Sequence, residues 1–289
     1  MREIQIVDHG LAASMLPERK SDSSKGTFGR AALVCGSEKY VGAAMLATEA
    51  ALRGGAGYVE FIGSDALCAK LVVRSPEVIY TRIDYTLDGG RETLAEATSR
   101  ASAILVGSGS ECTESLYLAL AELLSKDGAP VVLDADALNA IATYGSTNII
   151  ASSPRTVILT PHPLEFARIS GLSVGEIQSM RTEVARDFAR KLGCIIVLKG
   201  SGTVISDGDF TYVNSSGSSA LAKAGSGDVL AGLMTSLLAF SKEPIKAAAL
   251  AVYIHGKAGD NLAVTLSEFG VTPSDLPLEC ARVISSLVK

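Results

Sequence analysis

The stretch LAKAGSGDVLAG, Leu221 to Gly232, sets Gly225-Ser226-Gly227 directly before Asp228 and an apolar run. Glycines let successive backbone N–H groups point one way, and a helix starting there adds the positive end of its dipole. Ala224, Gly225, Ser226 and Gly227 thus have the makings of an anion hole for a transferring phosphoryl group, with Asp228 beside it to accept a proton. Asp228 also has a plainer reading as a helix N-cap, although a simple cap does not require two glycines.

Other stretches place polar groups where apolar runs end. Lys199-Gly200-Ser201-Gly202-Thr203 lies between CIIVL and TVIS; its donors suit phosphate or ribose oxygens, and it reads equally well as a strand-to-strand turn. In Thr160-Pro161-His162-Pro163-Leu164-Glu165-Phe166 two prolines hold His162 at a strand end, where it can bind a polar substrate or shuttle a proton, or merely stand beside a proline that opens a helix. Asp134-Ala135-Asp136 puts carboxylates after PVVL, suited either to Mg²⁺ or to a helix cap. Gly36 to Ala44 is a small-residue loop that lets a flat ring approach the backbone or a helix pack tightly. Gly107-Ser108-Gly109-Ser110-Glu111 is a βα turn without the third glycine of a dinucleotide fingerprint, and no GxxxxGK[ST] occurs. His9 and His255 have no comparable setting and are treated as background.

These stretches need a frame, and the chain supplies one. RAALVCG, VGAAMLATEAALRGG and AGYVEFIG alternate strand and helix patterns. The alternation continues through AILVG, a helix from about Thr113 to Lys126, PVVLDAD, RTVILTPHP, a helix from Val174 to Leu192, and CIIVLKG. Strands so uniformly apolar predict an α/β fold, a mainly parallel central sheet with helices on both faces. TVISDGDFTYVN predicts a hairpin turned at Asp207-Gly208, and Ala220 to Val264 two long helices parted near Ser241 to Pro244. No linker or repeat divides the chain, so a single domain over 1–289 is expected, with 1–24 as a polar N-terminal extension. In such sheets ligands sit beyond the carboxyl ends of the strands, where the polar stretches fall.

At 289 residues, 47% hydrophobic and 20% charged, the chain can bury a full core. A formal charge of −5 with no basic run argues against nucleic acid or an anionic membrane as partner. Neither a membrane-length apolar segment nor the layout of a signal peptide is present, so the expected location is cytoplasmic. The five scattered cysteines have no zinc spacing and read as reduced thiols.

In chain order, FGRAALVCGSEKYVGAAMLA, AALRGGAGYV, VVLDADALNA, LTPHPLEFARI, VLKGSGTVI, ALAKAGSGDVLAG and IHGKAGDNLA together resemble the ADP- or ATP-dependent NAD(P)H-hydrate dehydratases. That family is a branch of the ribokinase-like superfamily, and the resemblance runs from about Lys25 to Ala263. It implies repair of NADHX or NADPHX in the S form. ADP, as co-substrate with Mg²⁺, would phosphorylate the C6 hydroxyl; elimination would then restore NADH or NADPH and release AMP and phosphate.

By resemblance, Asp228 is the base. Ala43, Glu111, His162 and Asp228 bind the hydrate, Lys199, Gly200, Ser201, Gly202, Thr203 and Gly227 bind the nucleotide, and the metal ligands are unassigned. The family pattern GPGLG is here Gly107 to Glu111, its glycine after TPHP is Leu164, and its NPTGN is Asn214-Ser215-Ser216-Gly217-Ser218. With no room before Lys25 for an epimerase domain, a stand-alone dehydratase is expected, and the resemblance implies a homo-oligomer, often a tetramer. A ribokinase-like small-molecule kinase and a non-catalytic nucleotide binder are the competing readings, since the same anion hole would serve both.

Overall fold

The computed structural model describes residues 4–83 and 97–288. Strands β1 (Ile4–Val7), β2 (Arg30–Val34), β3 (Tyr58–Gly63), β4 (Ile79–Arg82), β5 (Ala103–Val106), β6 (Val131–Leu133), β7 (Val157–Leu159), β8 (Ile195–Leu198), β9 (Val204–Ser206) and β10 (Thr211–Asn214) form one sheet. Their order is β1-β10-β9-β8-β7-β6-β5-β2-β3-β4. Among the described strands β9 alone runs against the rest, because the hairpin at Asp207-Gly208 reverses it between β8 and β10. The Asp207 carboxylate holds that turn by accepting the N–H groups of Asp209 and Phe210.

The helices, in chain order, are α1 (His9–Met15), α2 (Val41–Arg53), α3 (Asp65–Leu71), α4 (Glu114–Ser125), α5 (Asp136–Tyr144), α6 (Asn148–Ala151), α7 (Pro163–Ser170), α8 (Val174–Ser179), α9 (Arg181–Leu192), α10 (Ser226–Leu238), α11 (Pro244–Gly270) and α12 (Leu276–Leu287). Alternate strand residues point to opposite faces. Ala31 and Leu33 join one apolar layer with α1–α3 and α10–α12, whereas Ala32 and Val34 join a second with α4–α9. Burial on both sides accounts for the unbroken apolar strands, as expected from their sequence.

Two local features differ from expectation. The helix anticipated over Val174 to Leu192 is two, because Met180 leaves the helical region (φ −134°, ψ 42°). Ser173 caps α8 reciprocally with Glu176, and Arg181 opens α9 with its guanidinium donating to the carbonyls of Leu198 and Lys199. Residues 4–15, inside the segment read as a polar extension, supply β1 and α1. Ile4 lies opposite Thr211 in a parallel pairing, and Asp8 caps α1 by accepting the Leu11 N–H at 2.8 Å. Residues 1–3 of that segment lie outside the described residues.

The sheet order turns back on itself between β2 and β5, and the loops following these strands meet there: the Gly36 N–H donates to the Ser108 carbonyl at 2.7 Å. Helix α10 lies against α2 so closely that a Cβ on Gly232 would collide with the Ala47 carbonyl. Gly232→Ala is therefore expected to destabilise the protein by about 2 kcal/mol through overpacking; a thermal midpoint unchanged from wild type would contradict that packing.

Candidate active site

Beyond the carboxyl ends of β6, β7 and β8 lies a cavity of about 840 Å³. His162, Lys199, Gly200, Ser201, Thr203 and Ala224 through Asp228 all line it. Gly202 sits in the same Lys199–Thr203 turn, with φ +63°. Ala43 and Glu111 are not on this wall. Ala43 stands beside the Gly107–Glu111 turn, 2.7 Å from where a Cβ on Gly109 would lie. The structure thus groups the proposed nucleotide residues with His162 and Asp228, and places Ala43 and Glu111 together where the β2 and β5 loops meet.

Helix α10 begins at the floor of the cavity. Its N-cap is Gly225, whose φ of +101° suits glycine, and a Cβ there would stand 2.7 Å from Leu46. Asp228 is consequently not the N-cap; it lies in the first turn, and among the described residues none donates a hydrogen bond to its carboxylate. Burial, together with the negative charges of Asp134 and Asp136, pushes its pKa up to about 7 against the pull of Lys199.

Lys199 donates to Asp134 Oδ1 at 2.9 Å and stands 3.8 Å from Glu165 Oε2. Its burial opposes the charge, but the attraction of Asp134 and Glu165 outweighs this and raises its pKa. Asp134 is 2% exposed and also accepts from Thr160 Oγ1 at 2.7 Å and from Ser108 Oγ at 2.9 Å. Ser108, a departure from the family pattern, therefore has a definite task as a donor to this carboxylate.

His162 is the N-cap of α7, with Pro163 as the first helical residue. Its Nδ1 accepts the N–H groups of Leu164 and Glu165 at 3.2 and 3.1 Å. Burial, reinforced by Lys199 and Arg168, lowers its pKa. The neutral ring then carries its proton on Nε2, 3.3 Å from Glu165 Oε1. This arrangement suits a fixed hydrogen-bond donor better than a proton shuttle. Leu164 contributes its N–H to the cap and leaves its side chain 49% exposed, so replacing the family's glycine there keeps the cap intact.

Glu111 has φ +63°, a conformation that favours glycine and explains the family's glycine at this place. Its N–H is given to Asp136 Oδ2 at 2.9 Å. Asp136, inside the first turn of α5, is the partner of that amide rather than the cap, which is Ala135. Among the described residues no group of three His, Cys, Asp or Glu is placed to hold a metal ion. With Asp134 fully engaged, the DAD carboxylates do not fit a protein-held Mg²⁺.

Sequence reasoning missed two cavity-lining side chains. Glu165 holds the His162 N–H at 2.8 Å and faces Lys199. His255, read as background, lies on α11 with Nε2 3.2 Å from Ser226 Oγ. Its signal was the motif IHGKAGDNLA: a histidine inside an otherwise small and apolar helix. The same motif anchors the loop after β10, where Asp260 accepts the Gly217 N–H at 2.9 Å. The changed sequence of that loop is accommodated by Ser216, which donates to the Tyr253 carbonyl at 2.9 Å.

Residues 31–281 match the family described as NAD(P)H-hydrate dehydratase. The chain belongs to this family. It is 40% identical over 248 residues to an ADP-dependent (S)-NAD(P)H-hydrate dehydratase of Bacillus subtilis, covering 85% of each chain. A bifunctional NAD(P)H-hydrate repair enzyme of Thermofilum pendens is 34% identical over 263 residues; the match takes in 89% of this chain and 50% of that protein. The chain thus spans about half the length of such bifunctional relatives.

The crystal structure of the Bacillus subtilis ADP/ATP-dependent NAD(P)H-hydrate dehydratase, co-crystallised with ATP/Mg²⁺, superposes with a TM-score of 0.87 at 35% identity, over 99% of this chain and 100% of the other. The fold of this family member is ribokinase-like. Among the described residues no helix is long and apolar enough to cross a membrane.

The raised pKa of Asp228 has a consequence for stability. Its carboxyl titrates near the ordinary value of 3.8 in the unfolded chain and near 7 in the folded one, so folding takes up a proton between these values and stability falls as pH rises through the window. Asp228→Asn should raise the thermal midpoint most at about pH 8, with the difference from wild type closing toward about pH 4. A difference independent of pH would refute the buried-carboxylate account.

Proposed function

We propose that this family member is an ADP-dependent dehydratase of the S form of NADHX and NADPHX, with the whole reaction carried by one domain. The observation that supports this reading most directly is Asp228: a carboxylate with no hydrogen-bond donor among the described residues, titrating near neutrality, in the first turn of a helix that opens on a cavity walled by Lys199–Thr203.

In this reading Asp228 takes the proton of the C6 hydroxyl, and the oxygen attacks the β-phosphorus of ADP as its bond to the AMP oxygen breaks. The backbone N–H groups of Ala224, Gly225 and Gly227 stabilise the migrating phosphoryl charge, whereas that of Ser226, expected from the sequence to join them, is given to the Lys223 carbonyl at 3.2 Å. Electron donation from the ring nitrogen then expels phosphate from C6 and a proton leaves C5, restoring the dihydronicotinamide. The Lys199–Thr203 turn and Gly227 hold the nucleotide, while Ala43 and the Nε2–H of His162 hold the hydrate. No contact is assigned to the Glu111 amide, which Asp136 already occupies. Magnesium, for which the Asp134 and Asp136 carboxylates offer no site, would supply charge neutralisation on the nucleotide. ADP is preferred as donor on the strength of the named relatives in Bacillus subtilis and Neisseria meningitidis.

The test is to incubate the purified protein with prepared NADPH hydrate and ADP, ATP or neither, following the return of reduced-nicotinamide absorbance. Recovery with ADP is expected. No recovery with either nucleotide overturns the reading, and a lasting phosphorylated product would make the protein a kinase instead.

Asp228→Asn should reduce turnover by about 1,000-fold, the scale of lost general-base catalysis, while leaving AMP affinity within about twofold of wild type. In wild type, kcat should rise with pH through a midpoint near 7 as Asp228 loses its proton. Near-normal turnover by a folded Asp228→Asn protein would remove it as the base.

A further inference from the structure

The anion hole borders one buried pair that the proposed reaction has not used. Ser226 is the first residue of α10, and His255 crosses to it from the middle of α11, with Nε2 3.2 Å from Ser226 Oγ. Both side chains are buried, His255 at 7% and Ser226 at 5% exposure, yet both border the cavity beside Asp228.

A serine hydroxyl has one proton to give. If it is spent on a bare Nε2, the oxygen turns lone pairs toward an incoming phosphoryl group and repels it. If Nε2 carries hydrogen, the ring donates to Oγ and the serine proton is free to point at the anion. We propose that His255 is a positioning residue for phosphoryl transfer: as the neutral Nε2–H tautomer it donates to Ser226 Oγ, so that the Ser226 hydroxyl becomes a side-chain donor of the anion hole.

The environment keeps the ring neutral. Burial, with a further push from the Lys199 charge, takes the His255 pKa down to about 4 despite an opposing interaction with the Ser226 backbone. A neutral donor orients the hydroxyl without adding a cation that would hold the product phosphate. The arrangement also explains why a histidine interrupts the apolar face of α11, where Val252 and Ile254 are core residues.

This inference rests on the phosphoryl-transfer reading, and two measurements separate their fates. Ring-nitrogen chemical shifts of His255, recorded with AMP and inorganic phosphate bound, should show hydrogen on Nε2; hydrogen on Nδ1 alone overturns the proposal whether or not the enzyme turns over hydrate. In kinetics with ADP and NADPH hydrate, Ser226→Ala and His255→Leu should each lower kcat by about 100- to 1,000-fold, the scale of a lost anion-hole donor.

The double variant should be no slower than the slower single variant, and His255→Gln, which restores an N–H, should recover most of the loss. KM for ADP should stay within about threefold in each case. Losses that multiply in the double variant overturn the proposal. If His255→Leu does not fold, the tautomer and the Ser226→Ala variant decide: unchanged kcat in Ser226→Ala also overturns it. Absence of turnover by wild type would instead sink the reaction itself.

Discussion

The buried Asp134 carboxylate, which follows β6, takes donors from the ends of three other strands: Ser108 after β5, Thr160 after β7 and Lys199 after β8. These four strands are consecutive in the sheet. Withdrawing such charges from water costs several kcal/mol per ion, so the pair is a poor source of stability. Its value is geometric, because it brings four loops to a common height around the cavity. It also sets the local field. Burial first, and then the Asp134 charge, discourage a second anion at Asp228, and Lys199 offsets that only in part, which leaves Asp228 poised near neutrality.

Two helices carry this arrangement to the anion hole. The close approach of α10 to α2 fixes where the first turn of α10 lies and which way its free N–H groups point. Helix α11 then acts as a rail for the loop that closes the cavity, through Asp260 at Gly217 and the Tyr253 carbonyl at Ser216. Farther along, Lys223 donates to the carbonyls of Phe269 and Val271, beyond the break at Ser267, and so joins the loop before the anion hole to the end of α11. The backbone of the site is thereby referenced to the core at several points rather than to itself.

Much of the frame was legible because strands covered on both sides leave an unmistakable apolar signature. The helix ends at Thr113 and Pro163 were legible for a related reason, since capping chemistry is local. What escaped depends on partners far apart in sequence. The break at Met180 has no glycine or proline to announce it, and β1 is four residues long and mostly exposed.

In the candidate site, the grouping of Lys199–Thr203, His162 and Asp228 on one cavity followed from placing motifs at strand ends. The commitment of Asp134 to donors from three strands did not, because no single stretch contains it. His255 was hidden by its surroundings: a polar side chain in an alanine-rich helix reads as incidental until the helix is seen to cross Ser226.

The pairing of β1 with β10 bears on how the chain reaches this state. Ile4 is made before the eight described strands β2 to β9, yet its neighbour Thr211 emerges only after them. Non-local pairings of this kind slow folding, because a long loop must close before any contact rewards it. During synthesis the apolar side chains of Ile4 and Ile6 have no strand to join, and the far edge of the sheet, with the loop after β10 that borders the cavity, is completed last. A nascent chain stalled before β10 would thus hold much of a core without a working site, and would carry a free strand able to pair with another copy.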